Sequence, residues 1–332
     1  MSMEQSRVIA AQTKLGKAFE YRCLRALYEK LHQNQPVIVE DTPQLKKAIA
    51  FYNDLALNGY AVSNLIFAAE GAAKMIIRLE PQLEHPADNK PLYLTLQTDA
   101  NGIEGDVRDV LCIRKQNEWQ IGISCKHNHH AVKHSRLSRT IDFGKDWFDL
   151  ACHKEYFDTI TPLFDELAAI KRDSGGRALF KDLPDKAERY YVPILNAFMT
   201  EMGRLNDENA DIPAKLVSYL IGRYDFYKVI TNDADRNVRI EAFNLYGTLN
   251  RQAERYKSIT RIPLLELPTR FYFVGFEDNS NNTIKVACDK GWEISMRLHN
   301  ASSRVEPSFK FDVNLISTPN SIYSEVEPYS SI

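Results

Sequence analysis

Cysteine is scarce in this chain and follows no pattern. Cys23, Cys112, Cys125, Cys152 and Cys288 are scattered through 332 positions, an odd number with no C-x-x-C spacing. That excludes a disulfide framework or a thiolate zinc site as the organising element. Long apolar runs are missing as well. The longest apolar stretch, Asn64 to Leu79, is interrupted by Glu70 and Lys74 and reads as a buried helix rather than a bilayer span. The opening residues MSMEQSRVIAAQTKLGK lack the apolar segment of a signal peptide. A reduced, soluble, cytoplasmic protein with no membrane partner is therefore expected. There is no internal repeat, no low-complexity block and no excess of one charge. The 42 Lys+Arg and 44 Asp+Glu leave a formal net charge of −2. A polybasic, histone-like nucleic-acid binder is excluded, whereas a local basic cleft is not, because a field follows the distribution of charge and not its sum.

What is present is ordinary globular material. Hydrophobic residues make up 44% and charged residues 26%, with 16 Tyr, 16 Phe and 3 Trp to fill a core. The length predicts one large domain or two closely joined ones. A helix is expected from about Gln12 to His32, with Phe19, Cys23 and Ala26 in one row and Leu24, Leu27 and Leu31 in the next. Thr42 and Pro43 supply a cap and a first residue for a second helix running to about Leu57, and a third follows from about Ala61 to Leu79. Leu92 to Gln97, Asp109 to Arg114 and Trp119 to Lys126 read as strands, the last two joined by a tight turn. Asp146 to about Asn250 reads as mostly helical. Strand-like runs then return at Arg270–Phe276, Thr283–Cys288, Trp292–Leu298 and Phe309–Ile316. The fold class is mixed α/β or α+β.

The hairpin carries the chemistry. Side chains alternate along a strand, so Ser124 and Lys126 project to one face and Cys125 to the other. Asp109 begins the antiparallel partner close to where the third strand ends. A carboxylate and an ammonium thus share one rim of a sheet, an arrangement suited to metal-dependent phosphodiester hydrolysis. Asp109 would hold Mg²⁺, the main-chain carbonyl of Cys125 would add a ligand, and Lys126 would orient water and offset phosphate charge. One carboxylate is thin support for a divalent ion, and Glu20 is the candidate second donor because it lines up with Leu24, Leu27 and Leu31 on the apolar row. From Trp119 to Ile141 there is no acid, yet Lys126, Lys133, Arg136, Arg139, His127, His129, His130 and His134 all fall there. A phosphate-contacting surface needs that composition.

Asp109 followed by a strand ending in Lys126 resembles the PD-(D/E)xK nuclease motif, and Gly16-Lys17-Ala18-Phe19-Glu20 resembles the first helix of that fold. The strings Gly105-Asp106-Val107-Arg108-Asp109-Val110-Leu111, Ile121-Gly122-Ile123-Ser124-Cys125-Lys126-His127-Asn128-His129 and Arg297-Leu298-His299-Asn300-Ala301-Ser302-Ser303 resemble, more narrowly, the HaeIII-type restriction endonucleases. The similarity spans most of the chain. It implies a restriction-endonuclease-like core with a mixed sheet flanked by helices, a large helical segment and a C-terminal β region. It further implies a Mg²⁺-dependent type II enzyme cutting double-stranded DNA within GGCC, with a methyltransferase for the same site as companion. A palindromic target implies a two-fold homodimer. The expected division is a nuclease core over 1–145, a helical region over 146–255 and a DNA-contacting β region over 256–332, with a single continuous unit as the alternative. The chain departs from the motif at Ser124, which stands where an acid is usual; that raises the weight on Glu20, with Asp106 and Glu104 in reserve.

Blander readings stand beside these. Asp109 and Lys126 also fit a surface salt bridge, and Glu20 also fits a solvated helix charge. The contiguous His127-Asn128-His129 is not an HNH nuclease site, whose letters are dispersed over a ββα unit. His130 and His134 lack the glutamate of a zincin. Arg297, His299, Asn300, Ser302, Ser303 and Lys310 are either a solvated turn or, as favoured here, contacts to base edges and phosphates. Ser124 also favours a second function, a non-catalytic DNA-binding protein on a degenerate nuclease fold. A nuclease for structured or RNA-containing duplexes is a third.

Overall fold

A computed structural model describes residues 3–60, 62–85, 90–98, 106–116, 118–127 and 135–329. Glu104, Asn128, His129, His130, Lys133 and His134 lie outside the described residues. The chain forms two compact units. One takes Met1–His130, Tyr224–Leu265 and Ser321–Ile332, and the other takes Ala131–Arg223 and Glu266–Asn320. This differs from three consecutive segments, because the chain leaves the first unit and returns to it twice.

In the first unit, helix α1 (Met3–Leu31) buries the two rows its sequence presents, with Phe19, Cys23, Leu24, Ala26, Leu27 and Leu31 all 2% exposed or less. After strand β1 (Val37–Val39) comes α2 (Pro43–Leu57), where the Thr42 hydroxyl accepts the Leu45 N–H at 3.1 Å and Pro43 takes the first turn. Helix α3 (Ser63–Leu79) buries an alanine-rich face of Ala68, Ala69, Ala72 and Ala73. Small side chains let it sit close to the sheet. A short α4 (Pro81–Glu84) follows, then β2 (Leu92–Leu96), β3 (Val110–Arg114) and β4 (Trp119–His127). The sheet is completed by β6 (Phe226–Asn232), β7 (Asn237–Phe243) and β12 (Tyr323–Pro328), in the order β1-β2-β3-β4-β6-β7-β12. The β1–β2 and β4–β6 pairs are parallel and the other pairs antiparallel, so the sheet is mixed. Helix α1 packs on β2, β3 and β4, and α3 on β6, β7 and β12. Val110, Cys112, Ile121, Ile123, Cys125, Tyr227, Val229 and Ile240 form the shared core with these helices.

The expected helical stretch to Asn250 needs correction. It ends at Ile221, and the β6–β7 hairpin follows, turning through Asp233 to Arg236, with Arg236 at a φ of +50°. The second unit holds α5 (Phe143–Phe148), α6 (Lys154–Asp173), α7 (Val192–Glu208) and α8 (Ile212–Ile221). Its sheet joins β5 (Arg136–Leu137) to β8 (Phe271–Phe276), β9 (Thr283–Cys288), β10 (Glu293–Asn300) and β11 (Phe309–Ser317), in the order β5-β11-β10-β9-β8. The four C-terminal strands read from the sequence are all present. Aromatics pack this unit: Phe143 lies 4.6 Å from Phe198 and Trp147 stacks on Tyr219 at 4.8 Å. Among the described residues no helix is long and apolar enough to cross a membrane, and all five cysteines are free.

Candidate active site

Antiparallel register places Val110 opposite Ile123, so Asp109 arrives beside Ser124 at the end of the hairpin. The backbone of Asp109 is pinned on both sides: its N–H donates to Ile123 O at 2.8 Å and its carbonyl accepts from Gln97 N–H at 2.9 Å. Its carboxylate turns back over β4. The Cys125 N–H donates to Asp109 Oδ2 at 2.7 Å and the Ser124 hydroxyl at 3.4 Å, while Lys126 Nζ stands 3.7 Å from the same oxygen. Both charged side chains are about one-fifth exposed, so the pair sits at a rim that solvent can reach.

Glu20 joins them from α1. It is 7% exposed and accepts from Lys17 Nζ at 3.1 Å. Burial, followed by the negative charge of Asp109, pushes its carboxyl up to about 8, and Lys17 and Lys126 oppose that shift. Two carboxylates brought together in a semi-buried place, each beside a lysine, have the composition of a site for a divalent cation, which would relieve their mutual repulsion. Among the described residues no group of three or more His, Cys, Asp or Glu offers an all-side-chain metal cage. A cation here would need main-chain and solvent oxygens as well, and those are the ligands that magnesium accepts.

Asp106 is not available in this arrangement. Arg108 Nε and Nη2 donate to its two oxygens at 2.7 Å each, and Gln97 donates to it as well. Two further residues went unread in the sequence. Lys17 lies one helical turn before Glu20, a spacing that was visible. Lys228 lies opposite Ser124 across the parallel β4–β6 pair and is 2% exposed. Burial pushes it down to about 8, against the pull of Glu241. No local signal announces a buried lysine, because its burial is decided by the pairing of distant strands.

The residues expected to face DNA are spread more widely. His127, at the end of β4, contacts Asp233 at 3.0 Å. Arg139 pairs with Asp165. In the second unit Arg136, Lys310 and His299 stand side by side in register on β5, β11 and β10, and Arg136 also reaches Ser308 at 3.4 Å. Burial pushes the Lys310 ammonium down, with Arg136 adding to that effect and Asp312 opposing it. Arg297 pairs with Asp312 at 2.6 Å. Asn300 is 9% exposed, and its amide donates to Ser302 O and Arg304 O, so its side chain serves its own turn. The Ser302 hydroxyl bonds Arg304 O at 3.0 Å, and the Ser303 carbonyl accepts from Phe180 N–H at 3.0 Å.

Comparison with known proteins agrees along nearly the whole length. The type II restriction enzyme HaeIII of Haemophilus aegyptius is 39% identical over 318 residues, covering 95% of this chain and 97% of that protein. No solved structure matches the chain. The HaeIII restriction endonuclease family profile matches residues 16–319, and with the identity to that enzyme it shows that this chain belongs to the HaeIII restriction endonuclease family.

Proposed function

We propose that this protein is a type II restriction endonuclease that hydrolyses phosphodiester bonds of double-stranded DNA within GGCC, using Mg²⁺. The observation that carries the reading is the rim where the Asp109 carboxylate, fixed by the Cys125 N–H at 2.7 Å, meets the Lys126 ammonium at 3.7 Å beside the buried Glu20. The hairpin feeding a mixed sheet, with α1 packed against β4, supports a PD-(D/E)xK core. Asp109, Glu20 and the main-chain carbonyl of Cys125 are the groups that would hold the cation, which supplies positive charge where the phosphate gains negative charge.

The residues act as follows. Asp109 is aimed by two hydrogen-bond donors and the nearby Lys126 ammonium and so needs little reorganisation to present an oxygen. Lys126, already on the rim, orients the attacking water and stabilises the developing charge on the phosphate. The Ser124 hydroxyl donates to Asp109 and helps to fix that carboxylate in place of serving as a ligand. Glu20, whose carboxyl burial pushes up to about 8, would have to give up its proton to serve as a ligand, and a cation would favour that charged form. A palindromic target supports a homodimer and a companion methyltransferase of the same specificity. The second sheet, with Arg136, Lys310 and His299 in register, is the proposed contact to the DNA backbone.

Plasmid DNA carrying GGCC, incubated with protein and Mg²⁺, is the test. Discrete fragments are expected from the wild type, and Asp109→Ala and Lys126→Ala should retard DNA without cutting it. The vacancy of an acid at Ser124 favours the alternative of a non-catalytic DNA binder. Retarded but intact plasmid with the wild type would decide for it.

A further inference from the structure

The segment that delivers Asp109 to the rim has an uncommon construction. Arg108 immediately precedes it and is only 5% exposed. Its Nε and Nη2 donate to the two oxygens of Asp106 at 2.7 Å each, and its backbone N–H donates to Asp106 Oδ1 at 3.1 Å. The guanidinium lies 3.9 Å from the ring centroid of Tyr224. The stem of the side chain runs across Gly122 of β4, where a Cβ would stand 1.9 Å from Arg108 Cδ and 2.4 Å from Cγ. Any side chain at position 122 would close that path. Gln97 ties the two aspartates together, its side chain donating to Asp106 and its backbone N–H to Asp109 O.

We propose that Arg108 is a positioning residue for the cation site: laid over Gly122 and clamped to Asp106 and Tyr224, it fixes the turn that carries Asp109 and holds the carboxylate of Asp106 away from the cation. The inference rests on Asp109 being a metal ligand. A planar, two-point arginine clamp restrains direction as well as distance, which a single point charge does not. With both oxygens of Asp106 saturated by Arg108 and Gln97, the nearer of two neighbouring aspartates becomes the ligand, a choice the sequence left open.

The test separates positioning from simple charge neutralisation. Arg108→Met strands a half-buried carboxylate, so the informative variant is Asp106→Asn/Arg108→Met, which leaves no unpaired charge. It should melt close to the wild type and keep its KM for DNA within about threefold, yet lose about 100-fold in kcat, the scale of a misplaced catalytic group. Calorimetric titration with Mn²⁺ should show affinity about tenfold weaker, as for other residues that orient a ligand. Gly122→Ala should reproduce both effects, and Arg108→Lys should recover part of kcat. A double variant that cuts and binds Mn²⁺ like the wild type, beside an inert Asp109→Ala, would overturn this inference alone. Cleavage by Asp109→Ala would overturn the reading beneath it.

Discussion

Glu20 and Glu80 are both buried carboxylates with raised pKa values, and their surroundings give them opposite roles. Glu20 faces another acid and two lysines at an open rim. Glu80 is fully buried and accepts from Tyr227 Oη at 2.7 Å and Asn250 N–H at 2.6 Å, while its second oxygen has no hydrogen-bond partner among the described residues. Burial pushes Glu80 from 4.5 up to about 7, with its neutral donors pulling the other way. The folded state therefore holds this proton more tightly than the unfolded chain. The associated stability is fully present below pH 4.5 and is lost as pH rises to about 7. Across that window Glu80 should cost about 3 kcal/mol. Glu80→Gln keeps the acceptor without the charge, so urea unfolding at pH 5 and pH 8 should show a smaller pH difference than in the wild type. That Asp109, Lys126 and Glu20 come together was legible because strand alternation and helical spacing are local. Arg108 and Lys228 were not, because their environments are set by Gly122, Tyr224 and Glu241 on other elements.

At the scale of elements, legibility followed the same division. The helix from Pro43 was readable from its cap alone. Thr42→Ala should lower stability by about 1 kcal/mol, measured by denaturant unfolding, since the Leu45 N–H loses its acceptor. The hairpin of β3 and β4 was readable from alternation around a polar turn. The β6–β7 hairpin was not, although Phe226-Tyr227-Lys228-Val229-Ile230-Thr231 is a strand-like run, because β6 follows four helices and is buried along nearly all its length, which removes the alternation that β7 still shows. β12 was missed for another reason. Tyr323-Ser-Glu-Val-Glu-Pro is a polar edge strand, and it is held by register with β7 and by Lys74 to Glu327 and Arg78 to Glu325, pairs about 250 positions apart in sequence.

For the whole molecule, the slight negative net charge means that attraction to DNA must come from where its cations are placed. The proposed backbone contact lies in the second unit, where Arg136 is exposed next to Lys310 in register. Arg136→Ala should weaken binding about equally on duplexes with and without GGCC. It should also reduce the slope of log affinity against log salt by about 1, the signature of one lost phosphate contact. Equilibrium binding at several NaCl concentrations reads both quantities. A mixed sheet with flanking helices and the possibility of two joined units were expected, while the interleaving of the chain between those units was not. A unit assembled from three separated stretches leaves no boundary in composition for a sequence reading to find.

The most direct measurement is the anomalous diffraction of Mn²⁺ in crystals of the protein with a GGCC duplex. The account predicts an ion at about 2.2 Å from an oxygen of Asp109 and within ligand distance of Glu20, on the DNA side of Lys126. An ion bound by Asp106, or no ion at this rim while the DNA is cut, would contradict it.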